Sequence, residues 1–163
     1  MLPEIKTIVY ASDIRQGSRV VFRMAIKQAL ANNAQIVFLH ACEPFDSEMQ
    51  DMVRDYLPQR ISNLHAARIL EGHHQRVHER IERFLREELE ADIHPMPEPK
   101  IVVRSGKPDQ VILAVAEEFN AELIVMGDRA APALSRMFLG STAQNVIHQS
   151  SVPVLIVPLA KPQ

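Results

Sequence analysis

Residues Leu123-Ile124-Val125-Met126 are apolar at every position, and the run stops at Gly127. A half-exposed strand would alternate apolar with polar side chains. A strand-length segment without polar residues has to be covered on both faces, as in a parallel sheet lying between two layers of helices. Further strand-length segments with β-branched centres lie at Ile5 to Tyr10, Ile36 to Ala41, Lys100 to Arg104 and Val152 to Val157. The last of these is flanked by Pro153 and Pro158, which belong at a sheet edge rather than its centre.

Between these runs the periodicity changes to that of helices. Phe22, Ala25, Ile26, Ala29 and Leu30 share one face of a helix that Asn32-Asn33 should stop. Val77, Ile81, Phe84, Leu85 and Leu89 line a long amphipathic helix from about Leu64 to Ala91, with Glu79–Arg83 and Glu82–Arg86 spaced as surface ion pairs. Pro95-x-Pro97-x-Pro99 is an extended connector. Pro108 suits a first helical turn, Ile112, Val115, Ala116 and Phe119 line that helix, and Asn120 ends it. Residues 43 to 63 carry no period and are expected to form an irregular surface excursion with a loose helical turn. Strands alternating with helices of this length predict an α/β fold, a single doubly wound five-stranded parallel sheet with helices on both faces. Ligands of such sheets sit beyond the carboxyl ends of the strands, where the strand order reverses.

A chain of 163 residues is expected to be one domain, 1–163, able to bury a core without metals or disulfides. The formal net charge is −2, with no basic block and few aromatics, which argues against nucleic acid or an anionic membrane as partner. Cys42 stands alone, so an internal disulfide is excluded, and no run approaches the roughly 20 apolar residues of a membrane helix. A cytoplasmic location is the expectation.

Two glycines punctuate the stretch after the fourth strand. Gly127 allows a sharp turn or a close approach to a ligand. Thirteen residues later Gly140 precedes Ser141-x-x-Gln144, a capping-box pattern that would start a helix with its first N–H groups facing outward, a terminus that favours an anion. Ala11-Ser12-Asp13 follows the first strand; taken alone, Asp13 is as readily a turn residue as a ligand group.

This arrangement resembles the nucleotide-binding signature of the universal stress protein family, Gly-x-x-Gly, nine residues, then Gly-Ser/Thr. Gly127 matches the first glycine, Gly140 the third, and Ser141 and Thr142 the hydroxyl positions; Ala130 stands where the signature has its second glycine. The resemblance implies a Rossmann-like fold with strand order 3-2-1-4-5. It also implies an ATP site, with or without Mg, formed by Ala11, Asp13, Ala41, Gly127, Arg129, Ala130, Gly140, Ser141 and Thr142. It implies a homodimer joined through Val152–Val157, acting on an unknown protein partner as a stress-linked regulator rather than an enzyme. The family's other branch, a nucleotide-free homodimeric adaptor, is the alternative, supported by Ala130, Ala131-Pro132 and the bulky Arg15.

Other candidates are weaker. His65, His73, His74 and His78 lack a completing carboxylate or cysteine, so a solvated face is simpler than a zinc site. No Lys follows the glycines as in a P-loop, which disfavours a phosphotransferase. Arg136 is read as surface charge, and Cys42 as packing because nothing nearby in sequence would lower its pKa.

Overall fold

The computed structural model describes residues 1–12, 18–42, 59–89, 96–128 and 139–159, without the side chains at 18, 59–66 and 69. Five strands, β1 (Thr7–Ala11), β2 (Gln35–Cys42), β3 (Lys100–Ser105), β4 (Leu123–Asp128) and β5 (Val154–Pro158), form one parallel sheet in the order β3-β2-β1-β4-β5. Helices α1 (Ser18–Asn32), α2 (Gln59–Leu89), α3 (Pro108–Glu118) and α4 (Ser141–Gln149) connect them in turn.

The two faces are covered as the apolar runs require. Ile8, Tyr10, Ile36, Phe38, Leu123 and Val125 meet Val21, Phe22, Ala25 and Ala29 of α1 and Val77, Ile81 and Leu85 of α2. Val9, Val37, Leu39, Ile124 and Met126 meet Val111, Ile112, Val115 and Ala116 of α3 and Ala143 and Val146 of α4. Alternate residues of β1, β2 and β4 therefore enter opposite cores, which is why these strands tolerate no polar position at their centres.

Helices α1 and α3 end by the same device. Asn33 and Asn120 have positive φ, 51° and 49°. At these ends Ala34 N–H donates to Ala29 O and Ala121 N–H to Ala116 O, each at 2.9 Å, while Asn33 N–H donates to Leu30 O and Asn120 N–H to Glu117 O. These paired bonds satisfy the last helical carbonyls and return the chain to the sheet, so both asparagines stop their helices as expected.

Some expectations fail locally. Helix α2 begins at Gln59, so residues 59–63 belong to it rather than to the excursion; 43–58 lie outside the described residues. Glu79 accepts from Gln75 Nε2 and Glu82 lies 3.8 Å from His78 Nδ1, so neither forms the expected ion pair with Arg83 or Arg86. Both acids turn toward the residue four before them instead of four after. β5 starts at Val154, two residues later than expected, because Val152 is held in a turn by Ser150, whose hydroxyl donates to Val152 O and accepts from Val152 N–H.

Candidate functional site

β1 and β4 are neighbours whose helices leave on opposite faces, α1 toward the first core and α4 toward the second. This divergence opens a crevice at the carboxyl ends of the two strands. Ala11 ends β1 opposite Met126, and β4 runs on through Gly127 and Asp128. Ala11 and Ala41 both pack toward the core shared with α3 and α4. Ala41 is next to last in β2, two strands from β4 and hence about 10 Å across the sheet. A ligand touching Ala41 and the start of α4 has to span the end of β1. Asp13, Arg129, Ala130 and Arg136 lie outside the described residues.

The start of α4 differs from the capping box. Gly140, with φ −56° and ψ 153°, is the N-cap, and Ser141 and Thr142 are the first helical residues. Gln144 Nε2 donates to the Leu139 carbonyl at 3.0 Å rather than reaching back to the cap N–H, and its backbone N–H donates to Gly140 O. The N–H groups of Ser141, Thr142 and Ala143 consequently have no acceptor within the helix, which preserves the partial positive end expected of this terminus.

Gly127 sits in extended strand, and its missing side chain makes room for packing. A Cβ there would lie 3.1 Å from Val21 Cγ2 and 3.2 Å from Leu159 Cδ2. The missing methyl lets α1 and the chain leaving β5 close over β4.

Several residues around the crevice were not singled out by sequence. Asp109, 8% exposed in the first turn of α3, accepts from Asn145 Nδ2 at 3.0 Å and so fixes α4 against α3. Its position directly after Pro108 at a helix start is the signal that would have found it. Ser12 N–H donates to Leu39 O at 2.8 Å, and His40 Nδ1 lies 3.2 Å from Ser12 O. Because a carbonyl only accepts, Nδ1 carries the proton, and the exit from β1 is held to β2 through both main-chain groups of Ser12. Asp128 Oδ1 is enclosed and has no hydrogen-bond partner among the described residues. An acid directly after a buried apolar run and its glycine is the signal there.

The histidine-rich helix lies elsewhere. His74 Nε2 and Ser105 Oγ are 2.8 Å apart, tying α2 to β3 beside a groove of about 510 Å³ lined by Ala67, Leu70, His78, Ile101 and Val103. Among the described residues no group of three His, Cys, Asp or Glu is placed to hold a metal ion. Cys42 is buried, and that burial pushes its thiol pKa up, away from thiolate chemistry. No helix among the described residues is long and apolar enough to cross a membrane.

Fold and crevice together define a doubly wound α/β protein with an anion-suited helix terminus at its switch point. The model of the universal stress protein family matches residues 4–158, and the chain belongs to that family. It is 30% identical over 153 residues to the "Universal stress protein in QAH/OAS sulfhydrylase 3'region" of Thermus aquaticus, covering 93% of this chain and 98% of that protein. It is 26% identical over 154 residues to universal stress protein Sll1388 of Synechocystis, covering 92% and 96%. Among solved structures it is similar to protein MJ0577 of Methanocaldococcus jannaschii, with a TM-score of 0.69 at 19% identity over 98% of this chain and 100% of that one. It is also similar to a universal stress protein in complex with cAMP, with a TM-score of 0.59 at 20% identity over 97% and 100%.

Proposed function

We propose that this universal stress protein is a cytoplasmic, dimeric regulator that binds ATP in the crevice between β1 and β4. The observation that carries the reading is the start of α4, where Gly140 caps the helix and three N–H groups lack an acceptor within it. Such a terminus is suited to phosphate oxygens. The cAMP complex of a relative lends support for an adenine nucleotide. Ala11 at the end of β1, Ala41 near the end of β2 and Gly127 in β4 are further groups assigned to ATP, together with Asp13, Arg129 and Ala130, which lie outside the described residues. Its role is to bind and respond rather than to turn nucleotide over.

The dimer is assigned to β5. Among the described residues it hydrogen-bonds only to β4, with no strand on its outer edge, and Ile147 on the adjoining α4 is 40% exposed. Pairing with a second copy would satisfy both edges in one isologous interface. Sedimentation equilibrium should give a dimer; a monomer at micromolar concentration removes this part of the reading.

Ala130, where the signature has glycine, favours a second reading, the nucleotide-free adaptor. Calorimetry decides between them. Wild type should bind Mg-ATP, Ala130→Gly should bind about tenfold tighter if the position needs glycine's backbone freedom, and Gly140→Val should lose binding. If neither wild type nor Ala130→Gly binds at millimolar nucleotide, the adaptor reading replaces the ATP reading.

A further inference from the structure

Along β4, Ile124 and Met126 enter the core shared with α3 and α4, whereas a Cβ on Gly127 would point at Val21 of α1. Asp128, the next residue, therefore faces the α3–α4 side, one step beyond Met126 toward the carboxyl edge. This is the face on which α4 packs, through Ala143 and Val146. Its register partner in β5 is Pro158, which has no N–H to offer. Oδ1 is shut away from solvent with no donor among the described residues. An enclosed carboxylate oxygen of this kind calls for a partner, and one that arrives with a ligand satisfies it.

Phosphate oxygens cannot be that partner, since they only accept hydrogen bonds and carry the same sign of charge. A hard divalent cation can. Mg²⁺ is held by one or two carboxylates together with substrate phosphates while keeping several of its waters. We propose that Asp128 holds the divalent cation accompanying the nucleotide phosphates, so that this chain accepts the metal–nucleotide complex and discriminates against the metal-free one. The inference rests on the nucleotide reading of the crevice. It assigns the specificity to a variable position of the glycine signature, the residue directly after Gly127.

Calorimetric titration with ATP, in magnesium and again in EDTA, on wild type, Asp128→Asn and Asp128→Ser tests it. Wild-type affinity should fall at least about tenfold on chelation, whereas either variant should change by less than about threefold and should bind metal-free ATP more tightly than wild type does. Electron paramagnetic resonance of Mn-ATP gives an independent readout, with the bound-manganese spectrum of wild type altered in Asp128→Asn. Equal wild-type binding in magnesium and EDTA overturns the proposal and leaves the nucleotide reading standing. Full metal dependence retained in both variants does the same. Absence of wild-type binding in both conditions overturns both the proposal and the nucleotide reading. The two variants guard against a folding artefact, since each replaces the carboxylate with a different side chain.

Discussion

The two faces of the sheet are built from different materials. Beneath α1 and α2 the core is aromatic, with Tyr10, Phe22 and Phe38 in mutual contact and Phe84 against Phe22 and Phe38, at ring-centroid separations from 4.9 to 6.2 Å. Beneath α3 and α4 the buried residues are aliphatic, and those the helices bring are Val111, Ile112, Val115, Ala116, Ala143 and Val146. Large rings concentrate the contact area of one face in a few residues. The other face, on which α4 packs through Ala143 and Val146, is filled by smaller aliphatic side chains. One face anchors the fold, and the other places the crevice.

The largest expected effect tests that division. Phe22 is fully buried and touches three other rings, so Phe22→Ala should cost about 3–5 kcal/mol by urea denaturation. Val115, equally buried on the opposite face, should lose only about 2 kcal/mol on replacement by Ala, since two methyl groups are removed and the cavity is small. Equal costs would show that the two cores contribute alike and would break the contrast.

This contrast also explains what was legible in the sequence. Each strand was visible because a run such as Leu123 to Met126 cannot be exposed on either side, and each Asn stop was visible because Asn tolerates the left-handed conformation its position requires. The strand order came with the family resemblance. What stayed hidden depends on convergence of distant segments. The start of α2 is polar and has no apolar stripe to mark it. Ser141-x-x-Gln144 has the letters of a capping box, yet Gln144 found the Leu139 carbonyl instead. Nothing near Asp128 in sequence says that one of its oxygens will be enclosed.

Gly127 separates the two roles at a single residue. Its Cβ position faces Val21 and Leu159 on the anchoring side, so Gly127→Ala should cost about 1–3 kcal/mol of stability through overpacking. Affinity for Mg-ATP, measured on the folded fraction, should stay near that of wild type, because the added methyl points away from the α4 side. Unchanged stability with lost affinity would move Gly127 from packing to ligand approach.

The smallest expected effect contrasts the ion pairs on the two faces. On the aromatic side the Glu88 side chain is 7% exposed and meets Arg19 Nε at 3.3 Å and Arg23 Nε at 3.1 Å, while the two arginines are 60% and 69% exposed. On the aliphatic side Arg104 of β3 grips Glu118 of α3 by two bonds, 2.7 and 3.3 Å, but the side chains are 38% and 52% exposed. The hydrogen bond from Arg104 holds the Glu118 carboxyl below its ordinary pKa, and the same bond raises that of Arg104. A carboxyl whose pKa is lower folded than unfolded stabilises the fold above its unfolded pKa, and the contribution disappears as pH falls through the folded value. Arg104→Gln should therefore weaken the protein slightly near neutral pH and low salt, and the difference from wild type should vanish in acid. Urea denaturation of both proteins across that pH range measures it. A difference that persists when Glu118 is protonated would assign the role of Arg104 to packing of its stem rather than to its charge.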